Sequence, residues 1–235
     1  MSTTPQSVTR LPRRPRRPVR GDAHERPAPA FWTLVGPDGS GKSTVLDLLH
    51  RKHGWRVVSY DDAYLGAHPL IRALRELWID DAFLWRGERY TSELVLAALH
   101  PIVLHLRDEI TRSDGSEPVI VDSYYYKLLA KCTLLGLRHQ PTFDVWRSFP
   151  KPAGVFWLDV PPALAWQRSG HGMHVNAFEH YGPVLDQAGF IRLQGDLHAA
   201  VLAELGDIPV TDLDGCGTPE ALVSAIRGTV EPVPA

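Results

Sequence analysis

The sequence predicts an α/β fold, a parallel sheet covered by helices on both faces. From Phe31 onward, short apolar runs alternate with longer helix-like stretches, the pattern of repeated strand–helix units. A glycine-rich turn, Gly36-Pro-Asp-Gly-Ser-Gly-Lys-Ser43, separates the first apolar run from the first helical stretch. Asp61, Asp122 and Asp159 stand at the ends of later runs, where ligands gather in sheets of this kind.

Phe31-Trp-Thr-Leu-Val35 reads as a buried strand, and residues 43–53 as the helix after the turn. Residues 56–60 (RVVSY) are a second strand, ending at Asp61-Asp62. Helical patterns run through 70–77, 92–99 and 102–110, the last two kinked or separated at Pro101. Val119-Ile-Val121 and Val155-Phe-Trp-Leu158 are the third and fourth strands. Residues 161–168 start a helix, with the proline pair suited to its first positions. Residues 208–212 make a last strand and 219–230 a closing helix.

Composition excludes several classes. At 235 residues, 44% hydrophobic, the chain can bury a core without staples. Its two cysteines, Cys132 and Cys216, have no ligand spacing, which fits a reducing, cytoplasmic setting. No apolar run approaches the roughly 20 residues that span a membrane. A net charge of −2 argues against nucleic acid as a partner and leaves a homodimer open. Arg10 to Arg20 holds six arginines and three prolines, an extended and solvated segment. Residues 1–28 are therefore read as a tail, and 29–235 as one domain.

The glycine-rich turn carries the strongest chemical signal. Its glycines let successive backbone N–H groups turn around an anion, which a β-carbon would obstruct. Lys42 adds a charge at the transferring phosphate, and the Ser43 hydroxyl can ligate magnesium. The expected nucleotide contacts are Gly36, Asp38, Gly39, Ser40, Gly41, Lys42, Ser43 and Thr44. Asp122 can share the metal with Ser43. Arg168, on the helix after the fourth strand, is a candidate charge stabiliser. The cofactors implied are ATP and Mg2+, with a small-molecule acceptor.

In order along the chain, these motifs resemble the thymidylate kinase family of nucleoside and nucleotide kinases. Gly36 to Thr44 matches its GxDGSGKST loop, Glu93-Leu-Val-Leu96 its "ELLLF" helix, and Val119 to Tyr125 its "VisDRY" strand. Phe156 to Pro162, with Arg168 after it, is similar to "yLDvpPe…R", and Thr218-Pro-Glu220 to "spEeV". The resemblance implies a P-loop kinase fold: five parallel strands flanked by helices, with a short lid at residues 169–179. It also implies that Asp38 binds a sugar hydroxyl.

The departures fall on the acceptor side. Ser123 replaces the arginine that grips the acceptor monophosphate in that family. In an ungapped alignment Ala97 and Pro101 replace the thymine-stacking aromatic and a second arginine. Without those arginines the forked contacts to a phosphate dianion are gone. Val58 to Tyr64 resembles the "iSxDxFY" segment of the uridine kinase and phosphoribulokinase group, whose aspartate accepts a proton from the attacking hydroxyl. Asp61, with Asp62 beside it, is accordingly the candidate base.

The resulting expectation is an ATP-dependent kinase acting on a hydroxyl of a nucleoside-like or other small metabolite. The alternatives are a thymidylate kinase whose phosphate contacts have moved to Arg72, Arg86 or Arg89, and a non-catalytic ATP-binding switch. His171 and His174 are read as solvent or substrate contacts. Tyr124 to Tyr126, Trp78, Trp85 and Trp146 are assigned to no ligand.

Overall fold

A computed structural model describes residues 28–230. The basic segment from Arg10 to Arg20 lies outside the described residues. Five parallel strands, β1 (Phe31–Val35), β2 (Arg56–Val58), β3 (Val119–Asp122), β4 (Gly154–Asp159) and β5 (Val210–Asp214), lie in the order β2-β3-β1-β4-β5. Among the described residues eight α-helices surround them: α1 (Lys42–His53), α2 (Pro69–Leu77), α3 (Ser92–Thr111), α4 (Tyr124–Leu134), α5 (Gln140–Arg147), α6 (Pro162–Arg168), α7 (Gln187–Leu205) and α8 (Pro219–Val230). A π-helical turn, Trp78–Ala82, extends α2.

Alternation along the strands sorts side chains into two layers. Phe31, Val35, Val121, Val155 and Trp157 pack with α3, α4 and α7. Leu34, Ile120, Phe156 and Leu158 pack with α1, α6 and α8. Burial on both faces is why the strands read as continuous apolar runs. None of the described helices is long and apolar enough to cross a membrane.

The structure narrows one expectation and changes two. Of the two alternatives at Pro101, separation is excluded, since α3 is one helix through it; the carbonyl left without a donor belongs to exposed Ala97, where water can satisfy it. β5 begins two residues later than read, because Pro209 has no N–H and only its carbonyl joins the ladder, accepting from Val155 N at 2.8 Å. Helices α4, α5 and α7, absent from the sequence reading, fill the face against α3. The chain leaves β1 toward β2 on one side, while the connection after β3 crosses to β4 on the other. The turn after β1 and the end of β3 therefore flank a topological switch point, the usual ligand crevice.

Candidate active site

The turn between β1 and α1 is built to face an anion. Gly39 and Gly41 take left-handed φ angles of 75° and 94°. A Cβ on Gly39 would lie 2.5 Å from the Ala165 carbonyl oxygen, so glycine is required there. Among the described residues, the N–H groups of Gly39, Gly41, Lys42 and Ser43 donate to no protein acceptor. Free donors at a helix N-terminus form a ready phosphate site, so the residues fit a nucleotide. Ser43 and Thr44 are exposed at its mouth.

Lys42 closes the loop. Its Nζ donates to the carbonyls of Pro37 at 2.8 Å and Gly36 at 3.3 Å, and to Ser40 Oγ at 3.3 Å. Burial and the neighbouring Lys127 charge bring its pKa down to about 7, against the pull of Asp122 and Asp38. Arg168 meets the loop from its carbonyl edge, with Nη1 donating to Ser40 O at 3.1 Å and Gly215 O at 3.0 Å.

Asp122 sits between two serines. Ser59 Oγ donates to its Oδ2 at 3.1 Å and Ser123 Oγ to its Oδ1 at 2.8 Å. Ser123 and Tyr124 hold φ of 59° and 47°, consecutive left-handed non-glycine residues. Each such residue costs on the order of 1–3 kcal/mol, and strain of this kind collects at functional sites. Ser59 Oγ also accepts from the backbone N–H of Asp61 at 3.0 Å, which ties Asp61 to Asp122. Asp61 Oδ1 accepts from Ala63 N at 3.1 Å. Asp62 is turned outward, 53% exposed, to Arg75 at 3.2 Å and Arg72 at 3.7 Å. The two neighbouring aspartates thus part company.

Lysines outside the expected site residues complete a charged cluster beside the loop. Lys127 and Lys131, four residues apart on α4, both point at Asp38, at 2.8 and 2.7 Å. Lys127 also donates to Gly36 O at 2.8 Å. Gln194, 1% exposed on α7, accepts from Asp38 N at 2.9 Å and donates to Asp38 Oδ2 at 2.9 Å and to Glu179 O at 3.1 Å. Burial alone would raise the Asp38 carboxyl, but the lysines outweigh it and hold the group well below the usual carboxylate range. Asp38, the expected sugar ligand, is also the hub joining the loop to α4 and α7.

Next to this hub lies a small cavity of about 70 Å³. Its walls include Tyr60, Arg75, Trp78, Lys131, Phe178 and Glu179, from four separate segments. Burial and then Asp38 raise the Glu179 carboxyl, with Lys131 and Lys127 opposing. The segment expected as a lid, residues 169–179, is a series of turns pinned by Phe178, whose ring lies 4.8 Å from Trp78 and 4.9 Å from Phe83. From α3 the cavity takes Leu99 and Ile102, not Ala97 or Pro101. Arg86 and Arg89 stack on Phe83 and Trp85 of their own loop, each at 3.8 Å.

Two lysines in the apolar stretch YYYKLLAKCTL were a readable signal, because an (i, i+4) pair shares one helix face. Gln194 and Glu179 carried none; their neighbours are supplied by distant segments.

No family model matches the chain. It is 26% identical over 135 residues to a protein named probable thymidylate kinase from Sulfurisphaera tokodaii. That stretch covers 56% of this chain and 64% of the relative, so the match spans less than two thirds of the relative's length. A solved structure of deoxyadenosine kinase from M. mycoides, with products dCMP and a flexible dCDP bound, is similar with a TM-score of 0.59 at 13% identity. The similarity covers 86% of this chain and 100% of that one. The resemblance to thymidylate kinase-like P-loop kinases is borne out, and the fold is the five-stranded α/β fold of that group.

Proposed function

We propose that the protein is an ATP- and magnesium-dependent kinase that phosphorylates a hydroxyl group of a nucleoside-like or other small metabolite. One observation carries the choice of acceptor: the charge balance of the cavity beside the P-loop. Its two cations are already paired, Lys131 with Asp38 and Arg75 with Asp62. The Glu179 carboxylate has no ion pair among the described residues and accepts there only from Asn176 N, at 3.2 Å. A phosphate dianion would meet an unpaired carboxylate there, whereas a hydroxyl would find an acceptor. Trp78 and Phe178 offer faces to a ring.

The free N–H groups of Gly39, Gly41, Lys42 and Ser43 bind the donor phosphates, and Ser43 and Asp122 hold the metal. ATP supplies the phosphoryl group, and magnesium neutralises its charge. Lys42 follows the charge as it moves, and Lys127 stabilises the same region from α4. Asp61, whose Oδ2 has no hydrogen bond among the described residues, receives the proton of the attacking hydroxyl. Arg168 braces the loop through the Ser40 carbonyl. A nucleoside exceeds the present cavity, so acceptor entry requires the Phe178 segment to move and its return excludes water.

The test is ADP release with thymidine and other nucleosides, with dTMP, and with a panel of hydroxyl metabolites. A hydroxyl acceptor should drive turnover while dTMP stays at background; robust dTMP turnover would overturn the reading. ATP consumption that no acceptor raises would favour an ATP-binding switch. Asp61→Asn should lower kcat by about 10²–10⁴-fold, the usual worth of a general base, and Asp62→Asn should change it little.

Nucleotide binding should depend on pH through Lys42. Its protonated form pairs with phosphate, and in the free protein that form is lost above about pH 7. ATP affinity should therefore fall as pH rises from 7 toward 10, with a proton taken up on binding. Calorimetry in buffers of different ionisation enthalpy measures this uptake. An affinity flat across that range would contradict it.

A further inference from the structure

A second cluster of ligating side chains stands where α2 meets α3. His68, the residue before α2, and His105 and Glu109, one turn apart on α3, place a ligand atom each within 4.8 Å of one another. The imidazole rings lie 4.5 Å apart at a tilt of 57°. His105 is only 8% exposed. Among the described residues neither ring makes a hydrogen bond, although buried polar groups are normally partnered. Both line a groove of about 400 Å³, which also holds Asp108 and Arg112.

We propose that His68, His105 and Glu109 form a zinc site. Two imidazoles and a carboxylate, with an open fourth position, are a recurrent zinc ligand set. Bonds of about 2.0–2.2 Å at tetrahedral angles bring donor atoms to roughly 3.4 Å of each other, so the three ligands need to draw together by rotamer adjustment. The groove leaves the fourth position to water.

Glu109 is at present held by Arg56 at 2.9 Å and Arg112 at 2.6 Å. The Arg112 side chain is 52% exposed, and an exposed pair of this kind is weak enough for a metal to displace. Arg56 can stay, orienting the carboxylate from behind as outer-sphere partners do.

Bound metal would staple α2 to α3. α2 also carries Arg75, on the wall of the acceptor cavity, so the staple would fix that wall. The site itself does not depend on the kinase reading, and its test needs no activity.

The experiment titrates Zn2+ into the full chain, freed of metal by EDTA and dialysis, against a chromogenic chelator. Melting temperature and the visible spectrum with Co2+ are recorded alongside. The expected result is one tight equivalent, a raised Tm, and the intense cobalt bands of a four-coordinate N/O site. His68→Ala, at a half-buried position, and His105→Gln should each weaken binding by at least about 100-fold, beyond the usual effect of an outer-sphere change. Asp122→Asn should leave it intact. Zinc binding equally strong in His68→Ala, or lost in Asp122→Asn instead, overturns the proposal.

Discussion

Replacing Lys42 with methionine is expected to lower kcat by about 10²–10³-fold, the worth of one preorganised charge-stabilising donor, while the folded protein becomes no less stable. The first half follows from its position: Lys42 Nζ reaches over the loop whose four N–H groups are free. Methionine keeps the apolar stem and removes only the charge.

The second half follows from linkage. The group titrates near 10.5 in the unfolded chain and is brought down to about 7 in the folded one. Between those values the unfolded chain binds a proton that the folded chain does not, so stability rises with pH across that window. Below pH 7 the buried charge exerts its whole penalty. Lys42→Met should therefore melt higher than wild type at pH 6, and the difference should shrink toward pH 9. A coupled ADP assay and thermal melts at the two pH values measure both effects. A variant that keeps wild-type turnover would remove Lys42 from the chemistry.

Asp38→Asn is expected to be the most destabilising conservative change near the site. Asp38 is 15% exposed, and its partners Lys127 and Lys131 are 3% and 5% exposed. Removing one member of a buried ion network strands the other charges, at about 3–5 kcal/mol. For a domain of this size that corresponds to a Tm lowered by roughly 6–20 °C. Asparagine preserves the shape and the bond from Gln194, which isolates the charge.

Because the Asp38 pKa is depressed when folded, its contribution is complete above the ordinary aspartate value. It is lost only as pH falls through the lower folded one. The gap between wild type and variant should accordingly be constant from pH 5 to 8. Replacing Asp38, Lys127 and Lys131 together by apolar residues should cost much less than Asp38→Asn alone. A triple variant as unstable as the single one would mean that packing, not charge, holds the loop.

These two positions divide what could be read from the chain by itself. Lys42 lies in eight contiguous residues whose chemistry is local: glycines that permit the turn, a lysine, a serine, and a helix starting behind them. The same locality made β1, α1, β3 and α8 legible, because apolar runs and turn residues report backbone preference directly. Asp38 lies in the same octapeptide, yet its neighbours come from α4 and α7, more than 80 residues away. No spacing within the loop discloses them.

The helices that the reading omitted, α4, α5 and α7, are those that tertiary packing defines. α4 is buried on nearly all sides, down to its lysines, so it shows none of the amphipathic periodicity that marks a surface helix. Pro101 left a kink or a separation open for the converse reason: the carbonyl it frees belongs to exposed Ala97, where water can satisfy it, and the helix continues.

The sequence by itself determined the fold class, the glycine loop and the strand-end aspartates, since each depends on residues adjacent in the chain. Only the tertiary structure decided that Asp61 and Asp62 face different ways, that Lys127 and Lys131 neutralise Asp38, and that Trp78, Phe178 and Glu179 share one cavity. Those relations are set by how the crossovers bring distant segments together over the sheet. The physical reason is that charge pairing and burial depend on distance in space, and the chain encodes that distance only through its packing.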